Sequence, residues 1–353
     1  SISNSLFKLD KTGQIGFSDE ALKYNIEYLY IPSSLDGVSI NSISNSGFKN
    51  CKSLKYVFIH PAIKNYGSSA FENCVNLKME MEISSSIISI GGNAFKNSGI
   101  TFTSIDLTGV TKSSAVGVNA FTGTTVKKLI VGESGVKSYD SSNKETYPFY
   151  NVKGFETLEY KTGTTTAKNV LSDSMRKTVK SVVIPASVKQ YDYCVFENCV
   201  NLKMEMKIQS SIVSIGGNAF KNSGITFTSI DLTGVTKSSA VGVNAFTGTT
   251  VKKLIVGESG VKSYDSSNKE TYPFYNVKGF ETLEYKTGTT TAKNVLSDSM
   301  RKTINTVFIP FSVKYIKDYA FKDCIHLDEI ILSRLTEYSE NVFENCSAVF
   351  NYY

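Results

Sequence analysis

The chain has 353 residues, 41% hydrophobic and 20% charged, with a formal net charge of +6 from 38 basic and 32 acidic residues. That length exceeds one ordinary globular core and calls for two domains or a repeat array, while the composition is that of a folded chain rather than a disordered one. The charges are interspersed and form no basic stripe, which argues against a nucleic-acid partner. No apolar run approaches the ~20 residues needed to cross a bilayer, so no membrane insertion is expected of this chain.

In chain order, Ser1 to Asp10 lacks the basic-then-apolar order of a secretory signal. This does not fix the compartment, since a mature form or a fragment would look the same. Residues 1–24, with the polar turn Asp10-Lys-Thr-Gly13, are expected to form an N-terminal cap, and residues 25–353 a single solenoid.

The strongest signal is an internal duplication. Residues 71–178 recur as 196–303 at an offset of 125, and only three aligned pairs differ: Glu82/Lys207, Ser84/Gln209 and Ile88/Val213. Within this runs a finer period. A Phe, twice a Met, followed by a short polar turn stands at Phe48, Phe71, Phe95, Phe121, Phe149, Met175, Phe196, Phe220, Phe246, Phe274, Met300, Phe321 and Phe343. The intervals run from 21 to 28 residues, within the range of leucine-rich repeats, so about 13 rungs are predicted.

Each rung opens with a strand whose inward residues read apolar-x-x-apolar-x-apolar, as in Leu54/Val57/Ile59, Phe102/Ile105/Leu107, Val126/Leu129/Val131 and Phe155/Leu158/Tyr160. The rung at Leu77 shifts register, so that Leu77, Met79, Met81 and Ile83 point in while Lys78, Glu80 and Glu82 point out. A return limb follows, such as Ile184-Pro-Ala-Ser-Val188, with Pro32, Pro185 and Pro310 just past their strands. Around each Phe a single helical or 3₁₀ turn is expected. The fold class is therefore a leucine-rich-repeat-type solenoid with a parallel sheet on the concave face and irregular or short helical turns on the convex one. One rung cannot bury its own apolar face; the stack buries it, with the phenylalanines in a core ladder.

The string Ile184-Pro-Ala-Ser-Val-Lys-Gln-Tyr191 through Val195-Phe-Glu-Asn-Cys199, with Ile309-Pro-Phe-Ser-Val313 and Ala320-Phe-Lys-Asp-Cys324, resembles the BspA-like, or Treponema-type, leucine-rich repeat. Cys324-Ile-His-Leu327 and Cys51-Lys-Ser-Leu54 continue the pattern, whereas the rungs at Phe121, Phe149 and Met175 lack its Cys. The resemblance implies a cell-surface or secreted protein of an anaerobic bacterium or a parasitic protist. It further implies adhesion to host cells, extracellular matrix or other microbes, without enzymatic activity. The other reading is an intracellular scaffold that docks a signalling partner.

Catalysis finds little support. His60 and His326 are the only histidines, and neither lies in the duplicated segments; no nucleophile–base pair is apparent. Of the six cysteines, Cys51, Cys74, Cys199, Cys324 and Cys346 each stand three residues after a Phe and read as small buried hydrophobes, while Cys194 lacks the partners of a zinc tetrad. No metal and no cofactor are predicted. Gly91-Gly92 and Gly216-Gly217 are expected in tight turns rather than phosphate cradles.

The outward strand positions are the candidate binding surface: Tyr28, Tyr30, Tyr56 and Phe58 near the N-terminus, then Phe308, Ile331 and Phe350, with Asp106, Ile130, Glu159, Val183, Glu205, Asp231, Ile255 and Glu284 between. Exposed aromatics on neighbouring strands stabilise a sheet or mark an interaction patch, and the sequence favours neither. The longest return limb, 132–147, recurs as 257–272; the duplication either merely lengthens the rod, the favoured reading, or offers two identical contact points. The sequon Asn345-Cys-Ser347 is expected to point inward and to escape glycosylation. The chain stops mid-strand at Val349-Phe-Asn-Tyr-Tyr353, which suggests truncation or an end-to-end homodimer through the open edge.

Overall fold

The computed structural model describes residues 4–353. Ser1, Ile2 and Ser3, the start of the expected cap, lie outside the described residues. The chain winds as a parallel β-solenoid of about 14 turns. It forms two compact units: residues up to Thr164 with Val170–Ala186, and Thr165–Asn169 with Ser187–Tyr353.

In the first unit a broad sheet runs through Glu80–Ile83, Thr101–Asp106, Lys128–Val131, Thr157–Tyr160 and Ser181–Val183, all parallel. Pairing aligns Ile105, Leu129, Leu158 and Val182, and all four are buried. The pleat then places Asp106, Ile130, Glu159 and Val183 on the other face. Tyr28–Tyr30 and Tyr56–Phe58 form a separate parallel pair. On the return side, a narrow sheet two residues deep links Ser42–Ile43, Asn65–Tyr66 and Ser89–Ile90. Inside the cap segment, Phe7–Leu9 and Gln14–Phe17 make an antiparallel hairpin whose second strand pairs with Ser42–Ile43 and covers that edge.

The second unit repeats the plan. Its broad sheet takes Glu205–Ile208, Thr226–Asp231, Lys253–Val256, Thr282–Tyr285, Thr306–Phe308, Glu329–Leu332 and Val349–Tyr352 in order. Narrow pairs join Thr166–Ala167, Gln190–Tyr191 and Ser214–Ile215, and separately Thr291–Ala292 with Tyr315–Ile316.

The shifted rung behaves as its alternation requires. Leu77 and Ile83 are buried, Met79 and Met81 are half-buried, and Lys78, Glu80 and Glu82 are exposed. Met81 pairs with Phe102 and Ile83 with Ile105, so one intervening residue faces two, and a bulge falls between Phe102 and Ser104.

The phenylalanines stack along the core. Ring centres lie 5.2 Å apart for Phe48–Phe71, 5.9 Å for Phe71–Phe95, 5.6 Å for Phe95–Phe121 and 5.1 Å for Phe121–Phe149. In the second unit Phe196–Phe220, Phe220–Phe246 and Phe246–Phe274 stand at 5.7, 5.4 and 5.1 Å, and Phe321–Phe343 at 5.6 Å. Such pairs add about 0.5–1.5 kcal/mol beyond the area they bury. Stacking sets ring spacing but cannot satisfy the backbone, and the turns do that.

The turns are of two kinds. Short helices carry Met175 (Asp173–Thr178) and Met300 (Asp298–Arg301), and a 3₁₀ turn ends at Phe343. At Phe48, Phe71, Phe95, Phe196, Phe220 and Phe321, the residues two before and two after the ring are both left-handed: Ser46 and Asn50, Ser69 and Asn73, Asn93 and Asn97, Cys194 and Asn198, Asn218 and Asn222, Tyr319 and Asp323. This alternation turns three peptide groups per rung the same way. The N–H groups of Ser46, Phe48 and Asn50 donate to the carbonyls of Ser68, Ala70 and Glu72 in the next rung, at 2.7, 2.8 and 2.7 Å. A third hydrogen-bonded ladder thus runs beside the two sheets. Asn dominates it because its short amide tolerates the left-handed region and bridges rungs, as in Asn73 to Asn50 at 2.9 Å.

Gly91 opens a tight turn, its carbonyl accepting the Ala94 N–H at 3.2 Å, and it belongs to the same close packing. A Cβ there would lie 2.4 Å from the Ser68 backbone nitrogen.

Candidate functional site

The pleat and register bring the four N-terminal aromatics together on one face. Tyr28 pairs with Tyr56 and Tyr30 with Phe58, flanking the buried Leu29 and Val57. The four outward rings are 67%, 62%, 46% and 40% exposed in the order Tyr28, Tyr30, Tyr56, Phe58. Tyr30 and Phe58 lie parallel, 5.0 Å apart with planes 7° from each other. Side chains of this size offer on the order of 400 Å² of apolar surface, comparable to the largest patch on a typical monomer. A Lys55–Glu27 ion pair at 2.9 Å borders the strand pair.

Beside the patch the broad sheet is interrupted, because Tyr56–Phe58 and Glu80–Ile83 belong to different sheets. A cleft of about 350 Å³ opens there, lined by Tyr56, Phe58, Met79 and Met81 among others. The signal for it was the register shift at Leu77: a rung alternating at every second residue does not continue the ladder of its predecessor. The two half-buried methionines are flexible and polarisable, and the alternation of their rung predicts core rather than surface for both.

His60 forms part of this cleft's wall and is buried. Its Nδ1 accepts the Ala62 N–H at 3.2 Å, so Nε2 carries the proton and donates to the Pro32 carbonyl at 3.0 Å. That pins the return limb behind Tyr30. His326 is exposed.

The candidates Phe308, Ile331 and Phe350 belong to the second unit. Phe308 is exposed and Ile331 half-buried, paired side by side in the second unit behind Glu284. Phe350 is exposed, as expected, but it pairs with the buried Ile330 and its ring packs 4.7 Å from Phe343, so it shares the inward face and Asn351 takes the outward position of that strand. Ion pairs Lys128–Glu159 and Lys253–Glu284, both 2.6 Å, line the middle of the two broad sheets. Asn345 also differs. It is exposed in a left-handed turn and holds Asp323 at 3.0 Å.

All six cysteines are free thiols; Cys51, Cys74, Cys199 and Cys324 are buried. Burial pushes Cys51 up to about 11, and burial followed by the neighbouring Cys51 pushes Cys74 up to about 12. Neutral thiols in such surroundings are poor ligands and poor nucleophiles. Among the described residues no group of His, Cys, Asp and Glu is arranged to hold a metal, and no helix is long and apolar enough to cross a membrane.

A search of curated proteins found no match. Among solved structures, a leucine-rich repeat protein from Bacteroides ovatus aligns over 100% of this chain and 89% of its own at 19% identity and a TM-score of 0.42. A leucine rich cell surface protein from Faecalibacterium prausnitzii aligns over 100% and 94% at 17% identity and 0.36. The family described as BspA type leucine rich repeat region matches with six copies across residues 17–146, 164–299 and 241–351. With the stacked rungs, the recurring Phe and the Cys three residues after it, that match identifies the chain as a member of the BspA-type leucine-rich repeat family.

Proposed function

We propose that this chain is a non-enzymatic binding protein of the cell surface or extracellular space, an adhesin that contacts host cells, extracellular matrix or other microbes. The observation that carries the reading is the in-register ladder of Tyr28 with Tyr56 and Tyr30 with Phe58, exposed on a rigid strand pair. Rigid aromatics lose little entropy on contact and are favoured as interface anchors. The adjoining cleft, with Met79 and Met81, offers an adaptable apolar recess next to the fixed rings.

The test is binding of the chain to immobilised matrix proteins and fixed epithelial cells by biolayer interferometry and flow cytometry. A variant with Tyr28, Tyr30, Tyr56 and Phe58 changed to Ser is compared with the natural chain. Loss of at least about tenfold in affinity is expected, the scale of one anchor residue, with thermal melting within a few degrees. Equal binding by both proteins would refute the assignment of this surface.

A further inference from the structure

The second unit holds a larger hollow away from its broad sheet. It is a solvent-open cleft of about 1060 Å³ between the long return limb 257–272 and the turns of the three following rungs. Its floor is fixed before any ligand arrives. Arg301 is buried and donates to the carbonyls of Leu296 at 3.0 Å, Tyr319 at 2.9 Å and Lys322 at 2.7 Å, and to Asn294 Oδ1 at 2.5 Å. Its guanidinium also lies 6.0 Å from the centre of the Tyr264 ring. Asn294 and Tyr264 exchange two further bonds, of 2.7 and 2.9 Å, and Lys269 pairs with Asp298 at 2.5 Å. The limb is tied down at its start, where the Glu258 carboxylate accepts the N–H groups of Thr290 and Thr291 at 2.5 and 2.9 Å.

The wall opposite the limb departs from the repeat. The first residue of the narrow strand is Asn65, Ser89, Thr166, Gln190, Ser214 or Thr291 in other rungs, and here it is Tyr315. The left-handed residue two before the ring is Ser46, Ser69, Asn93, Asn119, Cys194, Asn218 or Asn244 elsewhere; here it is Tyr319, at φ 61°. A bulky side chain in that region is a genuine outlier, and strain of this kind persists where function holds it. Both rings are about half exposed, and both line the cleft with Glu337.

Charge narrows the ligand. The lining carries Asp265, Asp298, Asp318, Asp323 and Glu337 against Lys269, Arg301, Lys317 and Lys322. The signs nearly cancel, and the one guanidinium is already committed to fixed acceptors, so neither an anion nor a cation is selected. Flat aromatic faces beside carboxylates and amides suit a neutral, hydroxyl-rich ring system. Its C–H face packs on tyrosine while its hydroxyls donate to carboxylate oxygens.

We propose that this cleft is a saccharide-binding site, in which a neutral sugar stacks on Tyr315 and Tyr319 and donates hydroxyl hydrogen bonds to Glu337. The site is separate from the aromatic patch of the first unit and stands or falls without it.

The experiment is saturation-transfer NMR and calorimetry on the full chain with lactose, maltotriose, chitotriose, mannotriose and sialyllactose at millimolar concentration. At least one neutral sugar is expected to bind. Tyr319→Asn and Glu337→Gln should each weaken it by at least about tenfold, and Tyr193→Ser, at an exposed ring outside the cleft, should leave it unchanged. Asn occupies the Tyr319 position in other turns, so that variant is expected to melt no lower than the natural chain. No transfer from any neutral sugar, a preference for sialyllactose over lactose, or binding that survives both substitutions overturns the proposal.

Discussion

Asn73 offers the sharpest test of the turn ladder. It lies at φ 61°; its N–H reaches the Lys96 carbonyl at 2.9 Å, and its amide joins Asn50 at 2.9 Å and Asn97 at 3.4 Å. Substitution by Ala keeps a Cβ but loses the amide. An L-residue without a local hydrogen bond spends about 1–2 kcal/mol in the left-handed region, and exposed side-chain bonds are worth about 0.5–1 kcal/mol together after solvent competes. Asn73→Ala should therefore cost about 2 kcal/mol. Asn73→Gly loses the same bonds but regains the conformation, and the extra freedom of its unfolded chain brings its cost to about 1 kcal/mol. Urea unfolding followed by circular dichroism measures both, and comparison at constant m separates stability from a change in cooperativity. If Gly proves as costly as Ala, the left-handed geometry is not what selects Asn here, and the account of the turns fails.

Two further outcomes follow from the same packing. In the native protein at pH 8, iodoacetamide should spare Cys74 and Cys324, whose thiols burial pushes up to about 12, over a time in which the half-buried Cys346 is modified; mass mapping that finds Cys74 labelled as fast as in urea contradicts its burial. The hydrogen bonds from Thr290 and Thr291 hold Glu258 below its ordinary 4.5, and hydrogen bonds from Ser267 hold Asp265 below 3.8. Both groups are lowered on folding, so the stability they lend the 257–272 limb is present above the ordinary carboxylate range and is lost as pH falls through the folded values. Amide exchange at Thr290 and Thr291, corrected for intrinsic rate, should accelerate below about pH 4.5 in the natural chain. In Glu258→Gln it should be fast at every pH; a natural chain whose protection is flat down to pH 3 refutes the anchor.

The period, strand register and Phe core were readable because each rests on alternation or recurrence. Leu54/Val57 and Ile105/Leu107 differ from their polar neighbours by burial alone, and burial is what a hydrophobic pattern reports. The turns were less legible. Phe-x-Asn recurs at Phe48, Phe71, Phe196 and Phe220, yet it predicts no more than a helical turn because Asn marks chain reversals of many kinds. Only the pairing of peptide groups between rungs distinguishes an alternating left- and right-handed turn from a 3₁₀ one. The face that Phe350 takes escapes the sequence for a related reason: four residues of strand fix an alternation but not its phase, and the partner strand supplies that. In the aromatic patch, the exposure of Tyr28, Tyr30, Tyr56 and Phe58 was legible. For the cleft beside it the sequence carries one signal, the register shift at Leu77, and that shift says the ladder changes there but not that a recess opens.

A repeat array makes departures from its own rules unusually visible. Every rung solves the same packing problem, so a position that holds a small polar residue in six turns has a known structural solution, and a different residue there needs another cause. Tyr315 and Tyr319 are such departures, and both fall on the wall of one cleft. The positions 125 residues earlier are Gln190 and Cys194, although the limbs 132–147 and 257–272 are identical. If the limb alone supplied a contact, duplication would have given two equivalent ones and no pressure toward aromatic residues in one copy. The difference argues that specificity in the second copy comes from what faces the limb. Under the proposed saccharide site the two copies of the limb are expected to differ in binding, with recognition concentrated at the two tyrosines that stand where Gln190 and Cys194 do in the first copy.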